Sequence, residues 1–322
     1  MRQSNLFFLF LLISGISTFL KADDISLDFS DYGKEPINVI NNQEANSSAG
    51  SNNDKPRPFS LNVYFDSVAP AKIDKGFYKG DEFRFTEAEA ELGMVFYYCP
   101  AYSEGANIAL SYTATYLHWS ENPFFEQDHF NTLALSLGGI TKRLENWLWR
   151  GQFDINYDIG SGFMGQYLFY DLLLWGRYSY SKNIGLHVGF LGQTGMGLDR
   201  VWPILGADWQ MSKRWKINLV YPVNIALEYT LNQTWSLALA IRNFNTRHRV
   251  KKNESNSKSL IRYQNSGAEL GVKYEKAGIT ANIHAGTTLG GDFRIANAQN
   301  NNPHHYKLRP SGYIGGEVDV KF

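Results

Sequence analysis

From Phe59 onward the chain repeats every second residue. Phe59, Leu61, Val63 and Phe65 alternate with Ser60, Asn62, Tyr64 and Asp66. Ile108, Leu110, Tyr112, Ala114 and Tyr116 alternate with small or hydroxyl residues, and Leu133, Leu135 and Leu137 with Thr132, Ala134 and Ser136. The same period runs through Phe153–Tyr157, Ile184–Phe190 and Trp235–Ile241. Successive side chains of a strand point to opposite faces, so each segment predicts a strand with one apolar face and one polar or small face. Many runs cover about 9–11 residues, the length a tilted strand needs to cross a bilayer.

Short and long connections alternate along the chain. The short ones are Ser181–Asn183, Ser212–Arg214, Asn232–Thr234 and Glu275–Gly278; the longer ones are 70–81, 119–128, 196–201, 249–258 and 291–310. This asymmetry predicts a transmembrane antiparallel β-barrel, with tight periplasmic turns and longer outer loops. With both chain ends in the periplasm the strand number has to be even. Reading 216–231 as one strand would invert every later turn. A turn at Tyr221-Pro222-Val223 restores the alternation, and proline cannot donate to a central ladder. The count is then about 14 strands over residues 59–322, with 12 as the alternative.

The start of the chain sets the compartment. One cation, Arg2, precedes an apolar run from Leu6 to Leu20, followed by Lys21-Ala22 and Asp23-Asp24. That is the layout of a signal peptide, expected over 1–22. Residues 23–58 are rich in Asn, Ser, Asp and Lys and predict a flexible polar segment. No later stretch approaches 18 uninterrupted apolar residues, so any further span must be β.

Composition narrows the function classes. Of 322 residues, 31 are Lys or Arg and 31 Asp or Glu, so no basic field draws in nucleic acid. A single cysteine excludes a disulfide framework and a Cys-based zinc cluster. The 48 aromatic rings (21 Phe, 19 Tyr, 8 Trp) are the distinctive feature. Tyr178, Tyr180, Trp209, Trp215, Tyr229, Trp235 and Tyr274 flank the short turns on the apolar face, as a girdle at the lipid headgroups would. The same rings could fill a soluble β-sandwich core.

The terminal segment Gly315–Phe322, with Val318, Val320 and Phe322 on one face, resembles the C-terminal assembly signal of bacterial outer-membrane proteins. That resemblance implies recognition by the barrel-assembly machinery and closure of the last strand on the first. The stretch Trp202–Gln210, continuing through Lys216–Pro222 to Leu227–Tyr229, resembles an uncharacterised family of outer-membrane barrels of chlamydia-like and related bacteria. It implies the fold and no ligand.

If lipid meets the apolar face, the other face lines the lumen, where acidic residues outnumber basic ones. Candidates are Glu87, Glu89, Glu91, Asp154, Asp171, Arg177, Glu228 and Arg242. Glu87, Glu89 and Glu91 share one face of one strand, about 7 Å apart. They read either as a cation-attracting ladder in a pore or as partners of lumenal Arg and Lys. His187 and His284 also fall on inward parity. The pair His304-His305 sits in an expected outer loop, and adjacent residues of an extended chain point apart, so no metal site is predicted. Arg247–Lys252 reads as a basic outer loop, either solvated or against lipid headgroups. No catalytic spacing and no cofactor motif stands out. The function expected is a pore for small hydrophilic solutes with a cation preference. The alternative is a non-conducting surface barrel serving adhesion or envelope integrity. No feature fixes an oligomeric state.

Overall fold

The computed structural model describes residues 57–159 and 165–322. The expected leader 1–22 and the polar segment up to residue 56 lie outside the described residues. The chain begins its sheet with β1 (Phe59–Lys72), β2 (Glu82–Cys99), β3 (Glu104–Trp119), β4 (His129–Thr141) and β5 (Trp147–Asp158). There follow β6 (Leu168–Ser181), β7 (Ile184–Gly195), β8 (Arg200–Gln210), β9 (Trp215–Tyr221) and β10 (Asn224–Thr230). The last are β11 (Trp235–Arg249), β12 (Leu260–Lys276), β13 (Ile279–Thr288), β14 (Gly291–Ala296), β15 (His304–Leu308) and β16 (Gly312–Lys321).

Strands β1 to β12 each pair antiparallel with the next, and β16 pairs with both β13 and β1. The ring is a closed transmembrane β-barrel of 14 strands, not 12. The turn that fixes the parity falls between Tyr221 and Asn224, where the proline argument places it. Closure runs from Ser60↔Lys321 to Val68↔Tyr313.

The outward face is a continuous apolar belt. Leu61, Val63, Leu110, Leu135, Leu174, Leu186, Leu239 and Ile283 are all exposed on it. A soluble monomer rarely shows a contiguous apolar surface beyond a few hundred Å². Hydrocarbon is the solvent that suits such a belt. Paired rings mark the short-turn end: Trp215 with Tyr229 at 4.7 Å, and Trp235 with Tyr274 at 5.0 Å between centroids.

Two features break the regular cylinder at the long-loop end. First, β9 and β10 have only seven residues each, so β8 above Leu205 and β11 above Ile241 lack a partner on the sides that face each other. The rim is notched there. Secondly, the connection 291–310, expected to be a loop, contains the hairpin β14–β15. It pairs with the outer part of β12 and stands above the shorter β13 and β16.

Beside the notch the wall turns inward. Residues 244–250 of β11 and its loop, and 260–265 of β12, are buried on both faces. Arg247 of β11 reaches Asp171 of β6, although five steps around the ring separate those strands. The outer part of β11, β12 and β14 is therefore a flap tucked behind the outer part of β5–β8. Its lumenal side packs on the opposite wall. Tyr263 lies 4.5 Å from Phe85 and 5.5 Å from Phe83, and Phe293 lies 4.5 Å from Phe83 (ring centroids). Leu117, Trp119 and Phe130 of the wall and Ile261, Ile295 and Tyr306 of the flap complete one buried cluster. Apolar side chains at inward positions thus seal the mouth.

Candidate functional site

Beneath that seal lies a chamber of about 150 Å³ in the lumen. Seven carboxylates line it, those of Glu87, Glu89, Glu91, Asp154, Asp171, Glu317 and Asp319. The one cationic side chain among its lining residues is Arg247, which comes from the flap above. Period two produces this arrangement, because the strands that put Leu92, Leu135 and Leu172 into lipid must turn the alternate residues inward.

Hydrogen bonds from the wall and from the flap hold carboxylates of the chamber. Tyr64 donates its hydroxyl to Glu87, and Thr115 does so at 3.3 Å. Thr113 donates to Glu89 at 2.8 Å, and the Asn62 amide to Glu317 at 2.8 Å. Gln152 donates to Asp154 at 2.9 Å. Asp171 accepts from Asn156 at 2.9 Å and from Arg247 at 2.8 Å. Hydroxyl and amide donors keep these oxygens in place, and a wall rich in carboxylates suits attraction of cations.

Of the residues singled out in the sequence, Glu87, Glu89, Glu91, Asp154 and Asp171 come together here, whereas Arg177, Glu228 and Arg242 are not among the chamber's lining. Arg177 grips Asp208 through two bonds of 2.6 and 2.8 Å. His187 joins them, 2.7 Å from Asp208 through Nε2. Because Trp175 donates to His187 Nδ1 at 2.9 Å, the ring proton sits on Nε2 and is directed at Asp208. Gly185 leaves space for this pair, since a Cβ there would run into the Arg177 and Asp208 side chains. Arg242 forms a second network, bonded to Glu269 at 2.7 and 3.2 Å and to Asp66 at 3.5 Å. His284 faces the same Asp66 at 2.6 Å. Glu228 accepts from Asn218 at 2.6 Å. These groups brace the wall.

The basic run from Arg247 corrects the sequence expectation of an outer loop. Arg247, His248 and Arg249 are 7%, 1% and 5% exposed. They belong to β11 and latch the flap to β5 and β6. His248 Nδ1 lies 3.3 Å from Asp158, whose other oxygen accepts the Arg249 amide at 2.6 Å. The Arg249 side chain donates to the carbonyls of Gln166, Lys258 and Ala298. The signal for this in the sequence is period two persisting beyond Ile241, with Phe244 and Thr246 opposite Asn245 and Arg247. His304 and His305 are exposed, on strand β15, and His305 contacts Asp292 at 2.8 Å.

The girdle candidates Tyr180, Trp209, Trp215 and Trp235 are exposed, and Tyr178, Tyr229 and Tyr274 are partly so. Tyr178 packs on Trp147 at 5.2 Å. In the terminal segment, Val318 and Val320 pair with Val63 and Leu61, and Phe322 stacks on Phe59 at 5.9 Å.

Residues 165–314 match the family model described as a domain of unknown function, DUF6268. The stretch Trp202–Tyr229, which carries the resemblance to an uncharacterised barrel family, falls within that match. An uncharacterised protein of Chlamydia pneumoniae is 27% identical over 306 residues, covering 89% of this chain and 94% of that protein. An uncharacterised protein of Chlamydia trachomatis is 27% identical over 206 residues, covering 62% of this chain and 63% of that protein. Among solved structures, an outer membrane channel from Pseudomonas putida F1 aligns at 8% identity with a TM-score of 0.44, covering 85% of this chain and 98% of that one.

Proposed function

We propose that this barrel is an outer-membrane channel for small hydrophilic cations, held shut at its outer mouth by the tucked flap. The observation that carries this reading is the chamber wall, with seven carboxylates facing one guanidinium. The short turns then lie in the periplasm and the notched rim outside. The exposed apolar belt and the aromatic pairs beside the turns support insertion in a bilayer. Val318, Val320 and Phe322 are assigned to recognition by the assembly machinery. An N-terminal leader over 1–22 would deliver the chain to that membrane.

A second reading, a permanently closed surface barrel, draws on the aromatic seal between Phe83, Phe85, Tyr263 and Phe293. Planar-bilayer recording separates the two. A channel shows intermittent conductance steps that become frequent when Phe83→Ala and Phe85→Ala loosen the seal. In that open form, Glu87→Gln, Glu89→Gln and Glu91→Gln together lower the cation-over-anion permeability ratio severalfold. Silence of the loosened barrel in repeated preparations would favour the scaffold. An unchanged ratio would remove the ladder from selectivity.

A further inference from the structure

The outward-parity side of the flap carries an unusual row. Arg247 of β11 pairs directly with Arg262 of β12, and Arg262 with Arg294 of β14. Directly opposed residues of antiparallel strands bring their Cβ atoms to about 4.5–5.5 Å, and like charges so placed destabilise the pair. Here three guanidinium groups stand side by side on three consecutive strands. Arg247 and Arg262 are 7% and 5% exposed, so water screens them little.

All three line one small cavity, closed on its far side by Met196, Gly197 and Leu198 of the β7–β8 loop and floored by Leu260 and Ile261. Asp171 takes one Arg247 nitrogen at 2.8 Å, and the other terminal nitrogen, Nη1, is buried with no hydrogen-bond acceptor. Arg262 donates to Gln264 at 2.8 Å. Asp292 opposes the loss of charge on Arg294 but also holds His305 at 2.8 Å and Lys307 at 3.7 Å. Burial works against the Arg294 charge, yet a guanidinium stays protonated in a protein.

We propose that this cavity is a binding site for a small inorganic anion, a halide, held by Arg247, Arg262 and Arg294 and locking the flap against the β7–β8 loop. Size selects the ligand. The cavity holds about 20 Å³, when one water-sized occupant needs about 10–15 Å³. A monatomic anion fits that space; a lipid headgroup or a phosphate group does not. The site is independent of whether the chamber below conducts.

The test is thermal unfolding of the full chain in detergent, at constant ionic strength, with gluconate exchanged for bromide or for phosphate. Bromide raises the wild-type midpoint by about 3 °C for each tenfold increase above saturation, and phosphate does not. Arg294→Gln loses the bromide dependence and, in gluconate, unfolds no earlier than wild type because the repulsion is relieved. Crystals of the wild type grown in bromide show an anomalous peak between Arg262 and Arg294, a readout that does not rely on the variant. Identical midpoints in bromide and gluconate, a phosphate-only response, or the lack of the peak would each overturn the site.

Discussion

The two ends of this barrel obey different rules. At the short-turn end, side chains alternate strictly between lipid and lumen, so Leu135 and Ser136 meet different solvents although they are neighbours. At the long-loop end the alternation persists but its meaning reverses. Phe83, Phe85, Leu117 and Trp119 point inward, and Arg247 and Arg262 occupy positions that lower down would face lipid. The difference arises from β9 and β10. Because these strands stop early, the neighbouring wall has a free edge and folds inside, where its lumenal side finds aromatic rings and, through His248, Asp158, and its outer side finds Asp171. Periodicity thus reports that two faces differ, and the height on the barrel decides what each face touches.

The sharpest way to break this contrast is to empty the seal. Phe83→Ala combined with Phe85→Ala removes about 3–5 kcal/mol of packing per ring. Amide exchange in 244–249 and 260–265 accelerates, while the exchange of β3–β5 near the short turns is unchanged. Equal protection in mutant and wild type would mean that the flap is held by something other than these rings. Arg247→Gln comes next. It leaves Asp171 buried without its guanidinium, a loss of about 3 kcal/mol for a buried pair. It also frees the flap on the β6 side, visible as exchange confined to β11. The smallest effect probes the lower half. Leu135→Arg costs about 2–4 kcal/mol if the residue faces hydrocarbon at mid-depth. Ser136→Arg, directed into the acidic chamber, costs less. A reversed order in unfolding from lipid vesicles would put the apolar belt somewhere other than in the bilayer.

Most of the cylinder is legible in the sequence because a single rule, burial on one face only, governs β1 to β10 and the lower parts of β11 to β13. Pro222 even marks the turn that sets the parity. The chamber carboxylates follow from the same rule, since charge is excluded from the lipid face. The flap is not legible in this way. A segment buried on both faces carries apolar residues on one side and arginines on the other, so Arg247–Arg249 read like a solvated outer loop. The hairpin β14–β15 hides in the same manner, its Phe293, Ile295, Tyr306 and Leu308 separated by polar residues and a stretch rich in Asn. The ion pairs are invisible for another reason. Arg242 and Asp66, or Arg177 and Asp208, are distant in the chain, and only the closed register brings them together.

The seal across the mouth joins the two extremities of the polypeptide. One half of it comes from the second to fourth strands, the other from the eleventh, twelfth, fourteenth and fifteenth, and the seam between β1 and β16 lies among them. A partly assembled barrel is an open gutter in which these rings cannot meet. Watertightness is therefore acquired last, at the moment the first and final strands zip together, and a chain that fails to close its circumference also fails to shut its door.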